Sequence, residues 1–130
     1  MAKQFTLGKN ERLKSRKMIE QLFSEGKKFV IAPFSVFYIY EKKENLSLQF
    51  GAGVSSKNFK KAVDRNKIKR VMRETYRLQK NGLQEKLKGQ NNQLSIFIIY
   101  TGKELPRYKE LYNKMGILLD KLCVILSEKK

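Results

Sequence analysis

Apolar positions follow two periods along this chain, and the changes from one to the other divide its 130 residues into elements. Residues 1–12 are polar except for Phe5 and Leu7 and read as an extended arm. Met18, Ile19, Leu22 and Phe23 then recur at helical spacing, predicting a first helix that Ser15 can cap and Gly26 stops. From Phe29 to Tyr40 the period drops to two, with Pro33 near the start, where a strand tolerates it. Phe34, Val36, Tyr38 and Tyr40 fall on one face, and Ser35, Phe37 and Ile39 on the other. The polar run 41–45 predicts a turn, making the next strand, Leu46 to Ser55, an antiparallel partner. In that strand Leu48, Phe50, Ala52 and Val54 face a core, opposite Gln49, Gly51, Gly53 and Ser55.

Between residues 56 and 78 the helical period returns, placing Ile68, Val71, Met72 and Thr75 on one face. A polar stretch with Gly82 and Gly89 follows, with room for a helical turn over Leu83 to Leu87. Leu94 to Tyr100 is almost continuously apolar, the pattern of a buried central strand. After Thr101-Gly102 and Pro106, the residues Tyr108, Leu111, Tyr112, Met115, Leu118, Leu119, Leu122, Ile125 and Leu126 keep helical spacing and predict a long core-packing helix. Neither repeat nor linker interrupts the chain. The expected fold is one α+β domain spanning residues 1–130: three strands in a small mixed sheet, the first pair a hairpin, layered with three main helices.

The polar face of the helix within 56–78 carries Arg65, Lys69, Arg73 and Arg77 at every fourth position, flanked by Arg70. Like charges at that spacing cost about 0.2–0.5 kcal/mol per pair, which a bound polyanion would offset. A solvated surface helix is the ordinary reading of such a stretch, but it normally interleaves acids, and here only Asp64 and Glu74 intervene. Asn66, a weak helix former among the cations, has an amide that both donates and accepts, suiting a phosphate, ribose or base edge.

The whole chain agrees with that sign. Twenty-nine Lys and Arg against twelve Asp and Glu give +17, a balance that attracts nucleic acid and binds it through counterion release. An anionic membrane would also attract it, yet the cations are dispersed over the chain, no apolar run spans a bilayer, and the N-terminus lacks a signal-peptide core. A cytoplasmic protein is expected, and Cys123, as the single cysteine, can form no intrachain disulfide and reads as a small buried or half-buried hydrophobe beside the last helix's apolar face. Side-chain catalysis is poorly provided for, because there is no histidine and only Asp64 and Asp120 accompany ten scattered glutamates. A two-carboxylate magnesium site is not excluded by counting alone.

Gly51 and Gly53 weaken their strand and require a reason. A bulge or a closely packed helix would supply one. So would a shallow groove, beside Phe37 on the neighbouring strand, in which an extended backbone lies.

The run Ala62-Val63-Asp64-Arg65-Asn66-Lys67-Ile68-Lys69-Arg70-Val71-Met72-Arg73-Glu74 resembles the signature of the bacterial ribonuclease P protein subunit: Arg-Asn-Arg, a hydrophobic residue, Lys-Arg, then Arg-Glu. Lys67 stands where the family usually has the second arginine, exchanging a planar fork for a point charge. Arg12-Leu13-Lys14 and Phe23-Ser24-Glu25-Gly26-Lys27 resemble the family's first helix, and the likeness extends from about Leu7 to Leu126.

This resemblance implies a holoenzyme endoribonuclease that removes the 5′ leader of precursor tRNA, the partner RNA subunit performing the hydrolysis with its own Mg2+. It implies that Arg65, Asn66, Lys67, Lys69, Arg70, Arg73 and Arg77 meet the RNA subunit. Ile19, Phe23, Phe37, Gly51, Gly53 and Ser55 would border the leader cleft, and Lys57, Lys60 and Lys61 would form a loop near phosphates. Ile19 replaces a usual phenylalanine and Gly53 a frequent serine, so one stacking contact and one hydrogen bond are expected to be lost. A left-handed βαβ crossover is also implied, where handedness rules predict the right-handed form. Two rivals are a non-catalytic ribosomal or structural RNA-binding protein and a helix-turn-helix DNA binder, the latter lacking a short helix before the basic one.

Overall fold

The computed structural model describes residues 16–42, 47–83 and 92–128, so the expected arm, the Ser15 cap and most of the turn expected over Leu83 to Leu87 lie outside the described residues. The elements run α1 (Arg16–Glu25), β1 (Lys27–Ile31), β2 (Phe34–Lys42), β3 (Ser47–Val54), α2 (Ala62–Gln79), β4 (Asn92–Tyr100) and α3 (Tyr108–Glu128). The α+β architecture and the three main helices agree with the sequence pattern.

Two expectations about the sheet are corrected. The segment Phe29 to Tyr40 is not one strand, because the chain reverses at Ala32-Pro33 and β1 pairs back onto β2 as an antiparallel hairpin. Pro33 has no N–H to give a ladder, so it belongs in the turn. Its carbonyl is held from the far end of β4, accepting from the Thr101 backbone at 2.8 Å and the Thr101 hydroxyl at 3.0 Å. The second correction is that β2 and β3 do not pair. The order is β1-β2-β4-β3, with β4 antiparallel to β2 and parallel to β3. β2 and β3 run in opposite directions, but β4 is apolar on both faces and gains more from the central position between them.

One face of the sheet carries the main core. Phe34, Val36, Tyr38, Leu48, Phe50, Leu94, Ile96, Ile98 and Tyr100 are buried there under Ile68, Met72 and Tyr76 of α2 and Leu111, Met115, Leu118, Leu119 and Leu122 of α3. The Phe50 and Tyr76 rings stack in parallel, 3.9 Å between centroids and 6° between planes, fixing α2 on the sheet. Where α2 meets α3, the Gln79 amide donates to the Tyr112 carbonyl at 2.9 Å, and Gly116 leaves space for it: a Cβ there would stand 2.8 Å from Gln79 Oε1. Tyr108 and Tyr112, expected in the core, instead stack on each other at the surface, 43% and 37% exposed. Leu111 between them is fully buried, so the two tyrosines lie on the flank of α3 turned away from the core.

The opposite face is covered in part by α1, which buries Leu22 and meets β2 and β4. Gly26 closes the helix, its N–H donating to the Leu22 carbonyl at 3.0 Å, and any Cβ would strike that oxygen.

Candidate nucleic-acid interface

Strand register places four residues in one row across the face beneath α1: Lys28, Phe37, Phe97 and Gly51. The next row toward the open end is Val30, Ser35, Ile99 and Gly53. Phe23 descends from α1 onto the first row, edge-on to Phe37 at 4.9 Å and to Phe97 at 5.4 Å, while remaining 46% exposed. Three aromatic rings therefore converge, a geometry that favours edge contacts and leaves faces to receive a base. Lys28 Nζ lies 5.4 Å from the Phe37 centroid, adding a cation to the same cluster.

The expected groove is correspondingly changed. Phe37 is not beside the glycine strand, since β4 intervenes, and the floor of the groove holds the Phe97 ring. A Cβ on Gly53 would meet Phe97 Cε1 at 2.9 Å and Cζ at 3.0 Å, so the glycine admits the ring. Phe97 was missed because its neighbours Ile96 and Ile98 are core residues; its odd position in β4, matched with Phe37 in β2, was the available signal. Ile19, one turn before Phe23, is half-buried, as is Ser55 just beyond β3.

Strand β3 leads from Gly53 through Ser55 directly into the loop before α2. There Lys57, Lys60 and Lys61 are exposed while Phe59 between them is only 7% exposed and packs near Tyr100, 6.1 Å between ring centroids. The Phe59 N–H donates to the Ser55 carbonyl at 3.1 Å. The Asn58 amide donates to the carbonyls of Thr101 at 3.1 Å and Gly102 at 3.3 Å. From the other side, Arg65 Nη1 donates to the carbonyls of Phe59 at 2.7 Å and Lys60 at 2.8 Å.

Beyond the loop, α2 turns Asn66, Lys67, Arg70 and Arg73 fully to the surface, with Arg65, Lys69 and Arg77 half-buried at its margins. Ile68, Met72, Thr75 and Tyr76 form the buried face. Val71, placed with them by periodicity, is partly buried. The helix begins at Lys61 without a side-chain cap, so Lys60 and Lys61 stand at its positive end, where the helix dipole favours anions over cations. That juxtaposition costs stability in isolation, and a polyanion placed there would relieve it.

Among the described residues no group of three or more His, Cys, Asp or Glu could hold a metal ion, and no helix is long and apolar enough to cross a membrane. Cys123 is half-buried.

The family model described as Ribonuclease P matches residues 7–123. The ribonuclease P protein component of Porphyromonas gingivalis is 35% identical over 112 residues, covering 85% of this chain and 82% of its own length. That of Chlorobium phaeobacteroides is 30% identical over 125 residues, covering 88% and 86%. Among solved structures, the RNase P protein from Thermotoga maritima superposes with a TM-score of 0.64 at 27% identity, covering 85% of this chain and 96% of its own. The Staphylococcus aureus RNase P protein has the same fold at 21% identity, with a TM-score of 0.63 and coverage of 88% and 96%. By its motif, its fold and these likenesses, the chain belongs to the ribonuclease P protein family.

Proposed function

We propose that this chain serves ribonuclease P by joining two RNA surfaces: α2 seats the protein on the catalytic RNA subunit, and the aromatic face of the sheet receives the 5′ leader of precursor tRNA. The observation that carries this reading is the convergence of Phe23, Phe37 and Phe97 on a strand face that runs, within a few residues, into an exposed lysine loop and a cationic helix. Stacking is indifferent to base identity, and lysines follow a phosphate backbone without reading sequence, which suits a leader of varied sequence.

Asn66, Lys67, Arg70 and Arg73 present the RNA-facing surface of α2, with Lys69 and Arg77 at its margins. Lys57, Lys60 and Lys61 attract phosphates at the junction, and Ile19, Gly51, Gly53 and Ser55 complete the cleft walls. In this reading Mg2+ is held by the RNA subunit, which performs the hydrolysis, and the protein contributes binding and alignment. The setting is the bacterial cytoplasm, where precursor tRNA is made.

Reconstitution tests this. Purified protein alone should leave a precursor tRNA intact, and adding it to the cognate RNA subunit at low Mg2+ should restore release of the leader. Cleavage by RNA-free protein, or no effect on the RNA subunit's activity, would overturn it.

A further inference from the structure

Arg65 opens the cationic series on α2, yet its guanidinium turns toward the preceding loop. One of its terminal nitrogens donates to two consecutive carbonyls, Phe59 and Lys60, at 2.7 and 2.8 Å. Both distances are at the short end for such bonds, as expected for a charged donor. Asn58 fixes the other side of the loop to Thr101 and Gly102, and Phe59 anchors it in the core. Lys57, Lys60 and Lys61 bracket these anchors and stay exposed. Three like charges on one short loop repel one another and the helix's positive end, so an untethered loop would splay. A fourth cation is an unexpected tether, and it succeeds because it binds neutral carbonyls.

We infer that Arg65 is a positioning residue: together with Asn58 it holds residues 57–61 in the one conformation that presents Lys57, Lys60 and Lys61 to RNA phosphates as a preformed set. The inference rests on the reading that this loop meets phosphates. It differs from a direct phosphate contact by Arg65 in that the effect is routed through the three lysines.

A double-mutant cycle separates the two. Binding of a leader-bearing precursor tRNA to the RNA subunit–protein complex is measured against salt for Arg65→Ala, for the K57A/K60A/K61A chain, and for the combination. The lysine-free chain should lose roughly two to three units of log–log salt slope. Arg65→Ala should weaken binding by about tenfold or more in the native chain and by less than about twofold in the lysine-free chain, since residues acting as one unit are not additive. Asn58→Ala, which removes no charge, should also lower the salt slope and accelerate amide exchange in the loop; it keeps the test available should Arg65→Ala fold poorly. Equal losses from Arg65→Ala in both backgrounds, or an unchanged slope in Asn58→Ala, overturn the inference alone. No loss on removing the three lysines overturns the reading beneath it as well.

Discussion

Phe97 leans over Gly53, so closely that a methyl group on the glycine would lie 2.9 Å from the ring. The two residues are diagonal neighbours across the parallel β3–β4 pair, two residues out of register, since Gly53 is opposite Ile99 and Phe97 opposite Gly51. The ring takes the space that a side chain on residue 53 would occupy. Gly53→Ser should therefore cost about 1 kcal/mol or more by overpacking. Adding Phe97→Leu should return most of it, and urea unfolding of the single and double variants measures both.

Phe23 touches both other rings but keeps nearly half its surface exposed. Phe23→Ala should lower stability by roughly 0.5–1.5 kcal/mol for the lost ring contacts. It should weaken binding of precursor tRNA by about 1–3 kcal/mol for a lost base stack. Mature tRNA, which has no leader, should bind as before. Parallel titrations of the two RNAs provide the comparison.

Arg70 and Arg73 are exposed, so their removal tests the helix surface without disturbing the core. Each change to Ala should leave thermal unfolding within about 0.5 kcal/mol of the native chain. Each should also reduce the salt slope for RNA-subunit binding by about 0.7–0.9, the value for one phosphate contact. For a protein making about five such contacts the native slope is roughly −3.5 to −4.5.

Tyr100 supplies a pH signature. Its hydroxyl donates to the Glu104 carbonyl at 2.8 Å, and burial, with Glu110 and Glu104 nearby, raises its pKa above the ordinary 10.0. The folded chain thus holds the phenolic proton more tightly than the unfolded chain. Its contribution is complete below the ordinary tyrosine value and is lost as pH climbs through the raised one. Stability should decline above pH 10, and Tyr100→Phe should flatten part of that decline while costing about 1 kcal/mol at neutral pH for the lost hydrogen bond. Tyr40 and Tyr108, also raised chiefly by burial, should preserve the remainder. Urea unfolding at stepped alkaline pH resolves the two.

Periodicity made the individual elements legible, because each is set by neighbours in sequence: Val36, Tyr38, Phe50 and Ile68 are buried where their spacing puts them. The basic face of α2 was legible for the same reason. Pairing was not, since nothing in residues 34–54 announces that a strand forty residues later will separate β2 from β3. That single insertion also hid Phe97, whose role depends on lying between Phe37 and Gly51. Arg65 reads as one more surface cation, and only coordinates reveal its carbonyl partners.

The interior position of β4 also governs the order in which the molecule can assemble. As the chain leaves the ribosome, α1, the β1–β2 hairpin, β3 and the cationic helix all emerge before residue 92, and until then β2 and β3 have no common partner. The last strand closes the sheet like a keystone, so a nascent chain halted before it leaves the cationic α2 with no finished platform beneath, and the sheet under α2 is complete only once β4 has been made.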